Sequence, residues 1–220
     1  MKKILKKIIT MSLFKTFYFN FRYFGLKGLF VLPVLIGKKC ELRKLGGKII
    51  MKDFSTAAVQ IAMNDMGNFP KSNTVASFQN SGTIIFEGRS HLGVGTRISN
   101  GGELIIGDAV TISADCSLIC AKMIKIGKKC NISWGTQILD TDFHKIYDSN
   151  TKELLNPDKP VIIGEHCWIS RDSLILKGVC LANDIIVAAN SVITKSQEQS
   201  NTVIAMGGGK ILKENVEWEM

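Results

Sequence analysis

From Ile106 onward an aliphatic residue returns at every sixth place, and few folds tolerate such a pattern. Ile106, Ile112 and Leu118 keep the step, and a two-residue slip resets it at Ile126, Ile132 and Ile138. After a long interruption it resumes at Ile163, Ile169, Ile175, Leu181, Val187 and Ile193; Phe86, Leu92 and Ile98 keep it earlier. A period of six suits neither an amphipathic helix nor a simple alternating strand. It suits a parallel β-helix with one flat face per hexad, each aliphatic side chain pointing inward onto its counterpart one coil away. The second place of each hexad is mostly Gly, Ser or Ala, as a corner crowded by Cβ atoms requires. The fold class expected is therefore all-β, a parallel β-helix.

The expected organisation is a basic, aromatic-rich helical segment over residues 1–40, the β-helix over 41–213 with a loop at 139–160, and a tail over 214–220. The net charge of +9 is unevenly spread. Residues 1–52 hold thirteen Lys and Arg against one acid, Glu41, whereas residues 53–220 hold fifteen against eighteen. The basic character belongs to the N-terminal segment. No nucleic-acid reader motif accompanies it, which argues against a nucleic-acid partner. An anionic membrane surface or a polyanionic glycan precursor fits the charge better.

In that segment Lys2, Lys3, Lys6 and Lys7 alternate in pairs with Ile4, Leu5, Ile8 and Ile9, and seven aromatics follow between Phe14 and Phe24. Lys15, Arg22 and Lys27 interrupt every run before it reaches the ~20 apolar residues of a membrane span. The same interruptions, with no small-residue cleavage site, argue against a signal peptide. Two compatible roles remain: a helix closing the open end of the β-helix, and an interfacial helix making peripheral membrane contact through residues 1–30. Pro33 ends the helical reading, strands are expected from near Leu42 or Ile49, and residues 53–80 read as an irregular first coil or loop. The six cysteines form no CxxC pair and read as reduced packing residues of a cytoplasmic protein.

The step from Ile138 to Ile163 is several times the length of the hexad. A solenoid needs no such loop, so its presence points to function. It carries His144, one of three histidines, in the string Asp140-Thr-Asp-Phe-His-Lys-Ile146. An imidazole titrates near neutrality and can both accept and return a proton, which makes this histidine a candidate general acid–base. The string DTDFHKI, followed by DKPVIIGEHCWIS, resembles the active-site segment of the hexapeptide-repeat acyltransferases, in particular sugar O-acetyltransferases of the maltose and galactoside type and their relatives in capsule and exopolysaccharide biosynthesis. The resemblance covers residues 80–213 or so and implies that the β-helix is left-handed, since periodicity alone does not set the hand. It implies that His144 is the general base; Asp142 or Asp140 could hold its tautomer. His91 and His166 read as solvent-facing corner residues. Zinc-dependent carbonic anhydrases share the fold but need three imidazoles at spacings absent here, so no metal is expected.

The same resemblance implies acetyl-CoA as acyl donor, lying between neighbouring subunits of a homotrimer. The stretches Trp168-Ile-Ser-Arg171, Ala188-Ala-Asn-Ser-Val-Ile-Thr-Lys195 and Gly207-Gly-Gly-Lys-Ile-Leu-Lys213 match the family's cofactor-binding pattern. They place Ala189 against the pantetheine arm, Thr194 and Lys195 at the next contacts, and Lys210 and Lys213 near the phosphates. Ser170, Arg171 and Asn190 depart from the pattern, Arg171 standing where it adds a phosphate contact or blocks the arm. The function expected is transfer of an acetyl group to a hydroxyl of a sugar, nucleotide-sugar or lipid-linked glycan acceptor in surface polysaccharide assembly. The alternatives are a non-catalytic scaffold that binds glycans or partners, and acyl transfer to an amino sugar.

Overall fold

The computed structural model describes residues 10–63, 74–205, 207 and 209–219. The Lys/Ile pairs expected to open the helix lie outside the described residues. Helix α1 spans Leu13–Val31, with Ser12 as its N-cap. Three-strand coils follow. The first is β1 (Val34–Ile36), β2 (Cys40–Leu45) and β3 (Lys48–Met51); the second is β4 (Val59–Ile61), β5 (Ala76–Asn80) and β6 (Thr83–Phe86). The third is β7 (Ser90–Leu92), β8 (Arg97–Asn100) and β9 (Glu103–Ile106); the fourth is β10 (Val110–Ile112), β11 (Ser117–Cys120) and β12 (Met123–Ile126). The fifth is β13 (Asn131–Ile132), β14 (Gln137–Leu139) and β15 (Val161–Ile163); the sixth is β16 (Trp168–Ile169), β17 (Leu174–Ile175) and β18 (Cys180–Leu181). Strands β19 (Ile185–Val187), β20 (Val192–Ile193), β21 (Thr202–Ala205) and β22 (Lys210–Glu214) complete the stack.

The first strands of the coils form a nine-stranded sheet, face A, the second strands a seven-stranded face B, and the third strands a six-stranded face C. All pairings are parallel except the last, where β22 runs antiparallel to β21. The inward residues stack in columns: Leu92, Ile112 and Ile132 on face A, Ile98, Leu118 and Ile138 on face B, Ile106, Ile126 and Ile163 on face C. All are essentially fully buried.

The slip in the hexad count has a structural cause. From β5 to β14, equivalent residues lie twenty apart, because the corner from face B to face C holds two extra residues. Asn80, Asn100, Cys120 and Asp140 occupy successive coils at that corner. The Asn100 amide donates to Asn80 Oδ1 at 2.8 Å and to the Thr83 carbonyl at 3.1 Å. After β15 the extra residues are gone, and Ile163 pairs with Leu181, eighteen places on.

The stack begins earlier than expected. Val34 and Ile36 are fully buried inward residues of β1, which pairs with β4, and α1 covers the exposed edge of β1. The buried polar residues of α1 satisfy that edge: Asn20 Nδ2 donates to the Val34 carbonyl at 2.6 Å, Asn20 Oδ1 accepts from the Val34 amide at 3.2 Å, and Thr16 Oγ1 accepts from the Ile36 amide at 3.0 Å. Phe19 packs edge-on against Phe78 at 5.1 Å. The helix kinks at Gly25 (φ 59, ψ −148), a conformation that needs glycine. The stretch 53–80 also holds two regular strands, β4 and β5, whose inward residues Val59, Ile61, Ala76 and Phe78 are buried. They escape a hexad count because so many residues separate one from the next. Among the described residues, no helix is long and apolar enough to cross a membrane.

All six cysteines are free, and five are buried. Burial pushes the Cys40 thiol up to about 11 and those of Cys116 and Cys120 up to about 12. Cys180 is the exception to the packing role, being exposed. Leu181 fills the inward place, so its neighbour on the strand points out. Titration of the native protein with a thiol-disulfide reagent at pH 7.5 should therefore show one fast-reacting thiol, absent from Cys180→Ser, with the other five reacting only on denaturation.

Candidate active site

The loop between β14 and β15 is a small, internally bonded structure rather than an irregular excursion. Tyr147 and Leu154 face each other in an antiparallel bridge, and the Leu155 amide donates to the Ile146 carbonyl at 2.8 Å. At its tip the Asp148 carboxylate accepts the amides of Asn150 and Thr151 at 2.8 and 2.7 Å.

His144 sits at the start of this hairpin, and its main chain is held from both sides. Its amide donates to the Asp142 carbonyl at 2.7 Å, and its carbonyl accepts from Asn156 Nδ2 at 2.8 Å. The same Asn156 amide reaches Asp142 Oδ2 at 2.9 Å, and Asn156 Oδ1 accepts the Ile146 amide at 2.6 Å. Lys177, on the corner of the next coil, completes the tether. Its ammonium, with the side chain only 16% exposed, donates to Asp142 Oδ2 at 2.5 Å and to the Asn156 carbonyl at 2.9 Å. The imidazole itself is exposed, and no described residue hydrogen-bonds it.

The hydrogen bond from Lys177, followed by that from Asn156, holds the Asp142 carboxyl below the usual carboxylate range. A depressed folded-state value means that the tether contributes above the ordinary carboxylate pKa and is lost as pH falls through the lowered one. At neutral pH it is intact. Neither aspartate hydrogen-bonds the ring. Asp142 fixes the loop backbone around His144, while Asp140 has a different task. Fully buried, its carboxylate accepts the amides of Ala121, Lys122 and Met123 at 2.6, 2.8 and 2.6 Å. It is the last member of the column begun by Asn80 and Asn100, and the twenty-residue spacing was the sequence signal for it. Asn156 and Lys177 carry no motif, and only the folded loop reveals them.

Four of the six candidate cofactor residues occupy the two edges of face B near the C-terminal end. Arg171 and Ala189 lie at the corner from face A to face B, with the Asn190 amide donating to the Arg171 carbonyl at 3.0 Å. Thr194 and Lys195 lie at the corner from face B to face C, the corner that carries His144 and Lys177. Ala189, Thr194, Lys195, Lys210 and Lys213 are all exposed, and among the described residues none of these lysines is in an ion pair. Unpaired lysines fit a ligand with phosphates, and a small exposed corner residue leaves room for a slender arm. Arg171 fits less well: its guanidinium pairs with Asp172 at 2.7 Å and lies 5.6 Å over the Trp134 ring. Lys210 and Lys213 lie on β22.

The other histidines are not simply solvent-facing corner residues. His91 lies on strand β7 with Nε2 2.6 Å from the Met63 carbonyl. His166 is at a corner, but its Nδ1 lies 2.7 Å from Asp184 Oδ1 and its ring stacks on Trp218. Among the described residues, no group of three or more His, Cys, Asp or Glu side chains is placed to hold a metal ion.

Comparison with known proteins fixes the family. A crystal structure of the polysialic acid O-acetyltransferase OatWY is 30% identical, with a TM-score of 0.55, over 82% of this chain and 91% of that one. The chain belongs to the hexapeptide-repeat acyltransferases. Its β-helix is left-handed, the hand of that family. The polySia-specific acetyltransferase NeuO shares the fold, with a TM-score of 0.66 over 82% of this chain and 72% of that one, at 22% identity. The polysialic acid O-acetyltransferase of Neisseria meningitidis is 45% identical over 95 residues, 43% of this chain and 44% of that protein. The match thus spans less than half the length of this relative. No family model matches the chain.

The different contacts of Asp140 and Asp142 lead to distinguishable predictions. Asp140→Ala leaves three partly buried amides without an acceptor and should destabilise the protein by about 2–5 kcal/mol, read as a lowered thermal midpoint in calorimetry. Asp142→Ala removes contacts at a surface loop and should leave the stability within about 1 kcal/mol of wild type.

Proposed function

We propose that this protein is an acetyl-CoA-dependent O-acetyltransferase that modifies a sugar hydroxyl in surface polysaccharide biosynthesis, with His144 as general base. The observation that carries this reading is the anchoring of His144. Its main chain is fixed by Asp142 and Asn156, and through them by Lys177, while its imidazole is left free for a ligand. A base must be held in place yet keep its proton-accepting nitrogen unengaged. Acetyl-CoA supplies the acetyl group as an activated thioester. The imidazole takes the hydroxyl proton as the C–O bond forms, and returns it to the sulfur as the C–S bond breaks. Lys195, Lys210 and Lys213 are the cations for the donor's phosphates, Ala189 and Thr194 line its arm, and Arg171 borders it through its stack on Trp134. Asp142 serves as a positioning residue, whereas Asp140 supports the coil beneath the loop.

The two edges of face B that hold these residues also support the homotrimer reading. Residues split between two corners of one prism come together when the corner of one copy meets the other corner of the next, and a cyclic arrangement closes that contact. The relatives' names make polysialic acid the first acceptor to test, ahead of nucleotide-sugar and lipid-linked glycans. The outward side of α1 favours a place at the membrane surface. Phe14, Tyr18, Phe21 and Phe30 are 79%, 50%, 53% and 87% exposed, and residues 1–52 carry the positive charge. Apolar rings among cations suit an anionic lipid interface. In this reading α1 is the membrane-facing cap, the coils from β1 to β22 are the transferase with its loop at 139–160, and the residues after Glu214 are the tail.

Calorimetry should show saturable acetyl-CoA binding, and transfer to oligosialic acid should follow. His144→Ala should keep donor affinity within about threefold while losing about 10²–10⁴-fold in kcat. Absence of donor binding by folded protein would overturn the reading. For the membrane contact, flotation with vesicles of roughly two parts phosphatidylcholine to one part phosphatidylglycerol should carry the full chain. Replacing Phe14, Phe21 and Phe30 by Ser should release it, as should pure phosphatidylcholine.

A further inference from the structure

The corner from face C to face A carries chemistry that the transferase reading leaves unused. The tail after β22 folds back along it: the Val216 amide donates to the Asn201 carbonyl at 3.0 Å, and Asn201 Nδ2 returns a bond to the Val216 carbonyl at 3.3 Å. This brings Trp218 onto His166, two coils down. The indole stacks on the imidazole with centroids 4.5 Å apart and planes 10° from parallel, and Trp218 Nε1 donates to the His166 carbonyl at 2.8 Å. Asp184, one coil above, holds the imidazole Nδ1 at 2.7 Å. Trp168, 36% exposed on face A, lies 6.0 Å from Trp218 and is itself fixed by a 3.0 Å bond from Nε1 to Ser133 Oγ. Concavities of about 300 and 550 Å³ open on either side of His166.

A tail that served only to cover the coil would bury its indole among apolar side chains. This one is laid on a polar ring, which is oriented by a carboxylate, beside a second oriented indole. Around them stand groups that hydrogen-bond hydroxyls: Asn183 and Asp184 in the smaller concavity, Asn201 and Glu217 in the larger. Flat apolar faces rimmed by carboxylates and amides match one ligand chemistry closely. The C–H face of a pyranose packs on an indole, and its equatorial hydroxyls reach outward to carboxylate and amide oxygens. We propose that Trp218, His166 and Asp184, with Trp168 beside them, form a glycan-binding subsite that takes a pyranose ring of a polysaccharide. The proposal rests on the reading above that the acceptor is a glycan, and it adds where a sugar unit is held. The His144 loop enters face C from one edge and this subsite stands at the other. A polymer engaging both on one chain therefore lies across that face, with the sugar at Trp218 being a different unit from the one acetylated.

The test is binding of the full-length protein, without acetyl-CoA, to a printed array of bacterial capsular and O-antigen oligosaccharides. Wild type should be retained on at least one glycan, Trp218→Ala should lose tenfold or more of that signal, and Trp218→Phe, which keeps a stacking face, should recover most of it. Two of the three tryptophans flank the subsite, so the retained glycan should also shift the intrinsic fluorescence of wild type. That readout needs no variant to fold. Retention of no glycan, an unshifted fluorescence, or equal retention of Trp218→Ala with an unchanged melting curve would overturn the proposal. Failure of acetyl-CoA to bind in calorimetry would overturn the transferase reading and leave the array result as it stands.

Discussion

Each strand of this molecule finds its hydrogen-bond partners one coil away, and that constraint governs everything built on the stack. In a parallel β-helix the interior coils are satisfied from above and below, while the two ends present rows of unpaired amides and carbonyls. The chain resolves the ends differently. At the start, α1 turns Thr16 and Asn20 inward, and these polar side chains act as a substitute strand for β1. At the finish, β22 doubles back antiparallel on β21 and leaves no parallel edge on face A for a further coil. A helix that buries Thr16 and Asn20 beside Phe19 and exposes several aromatic rings looks partly inverted for a globular protein, and edge satisfaction explains the buried polar residues.

The stack also explains where the candidate active site falls. The corner from face B to face C is the loosest of the three, carrying two extra residues in each early coil and needing the Asn80–Asn100 column to bind them. Asp140 closes that column with three amides. The chain is then free to leave the repeat, and the hairpin containing His144 emerges from that point. Beyond it the coils shorten to eighteen residues. The loop thus sits at the seam between two coil lengths, where the constraint on chain length is relaxed.

Much of this was legible in the sequence. The inward columns are the hexad residues themselves, because a residue that must stack on its own kind in every coil leaves a strict period. His144 was visible because its loop breaks that period. The edges were not visible: Val34 and Ile36 are too few to establish a repeat, and the caps Thr16 and Asn20 look like ordinary polar residues in a helix. Asp140 illustrates a subtler difficulty. Its proximity to His144 in sequence suggested chemistry, whereas its spacing from Asn80 and Asn100 told of the fold; both signals were present and the nearer one was more conspicuous. Lys177 stands far along the chain from His144, on the following coil, and Trp218 reaches His166 only because the tail reverses, so neither contact is written in any local pattern.

The placement of Lys177 has a consequence for biogenesis. A solenoid can add coils one at a time, in the order in which the chain leaves the ribosome, since each coil rests on its predecessor. The His144 hairpin is made during the fifth coil, but the ammonium that ties it down belongs to the sixth. The emerging protein therefore passes through a stage in which its β-helix is largely built and its histidine loop is untethered. The loop can be tied down only once the chain beyond the fifth coil has been made.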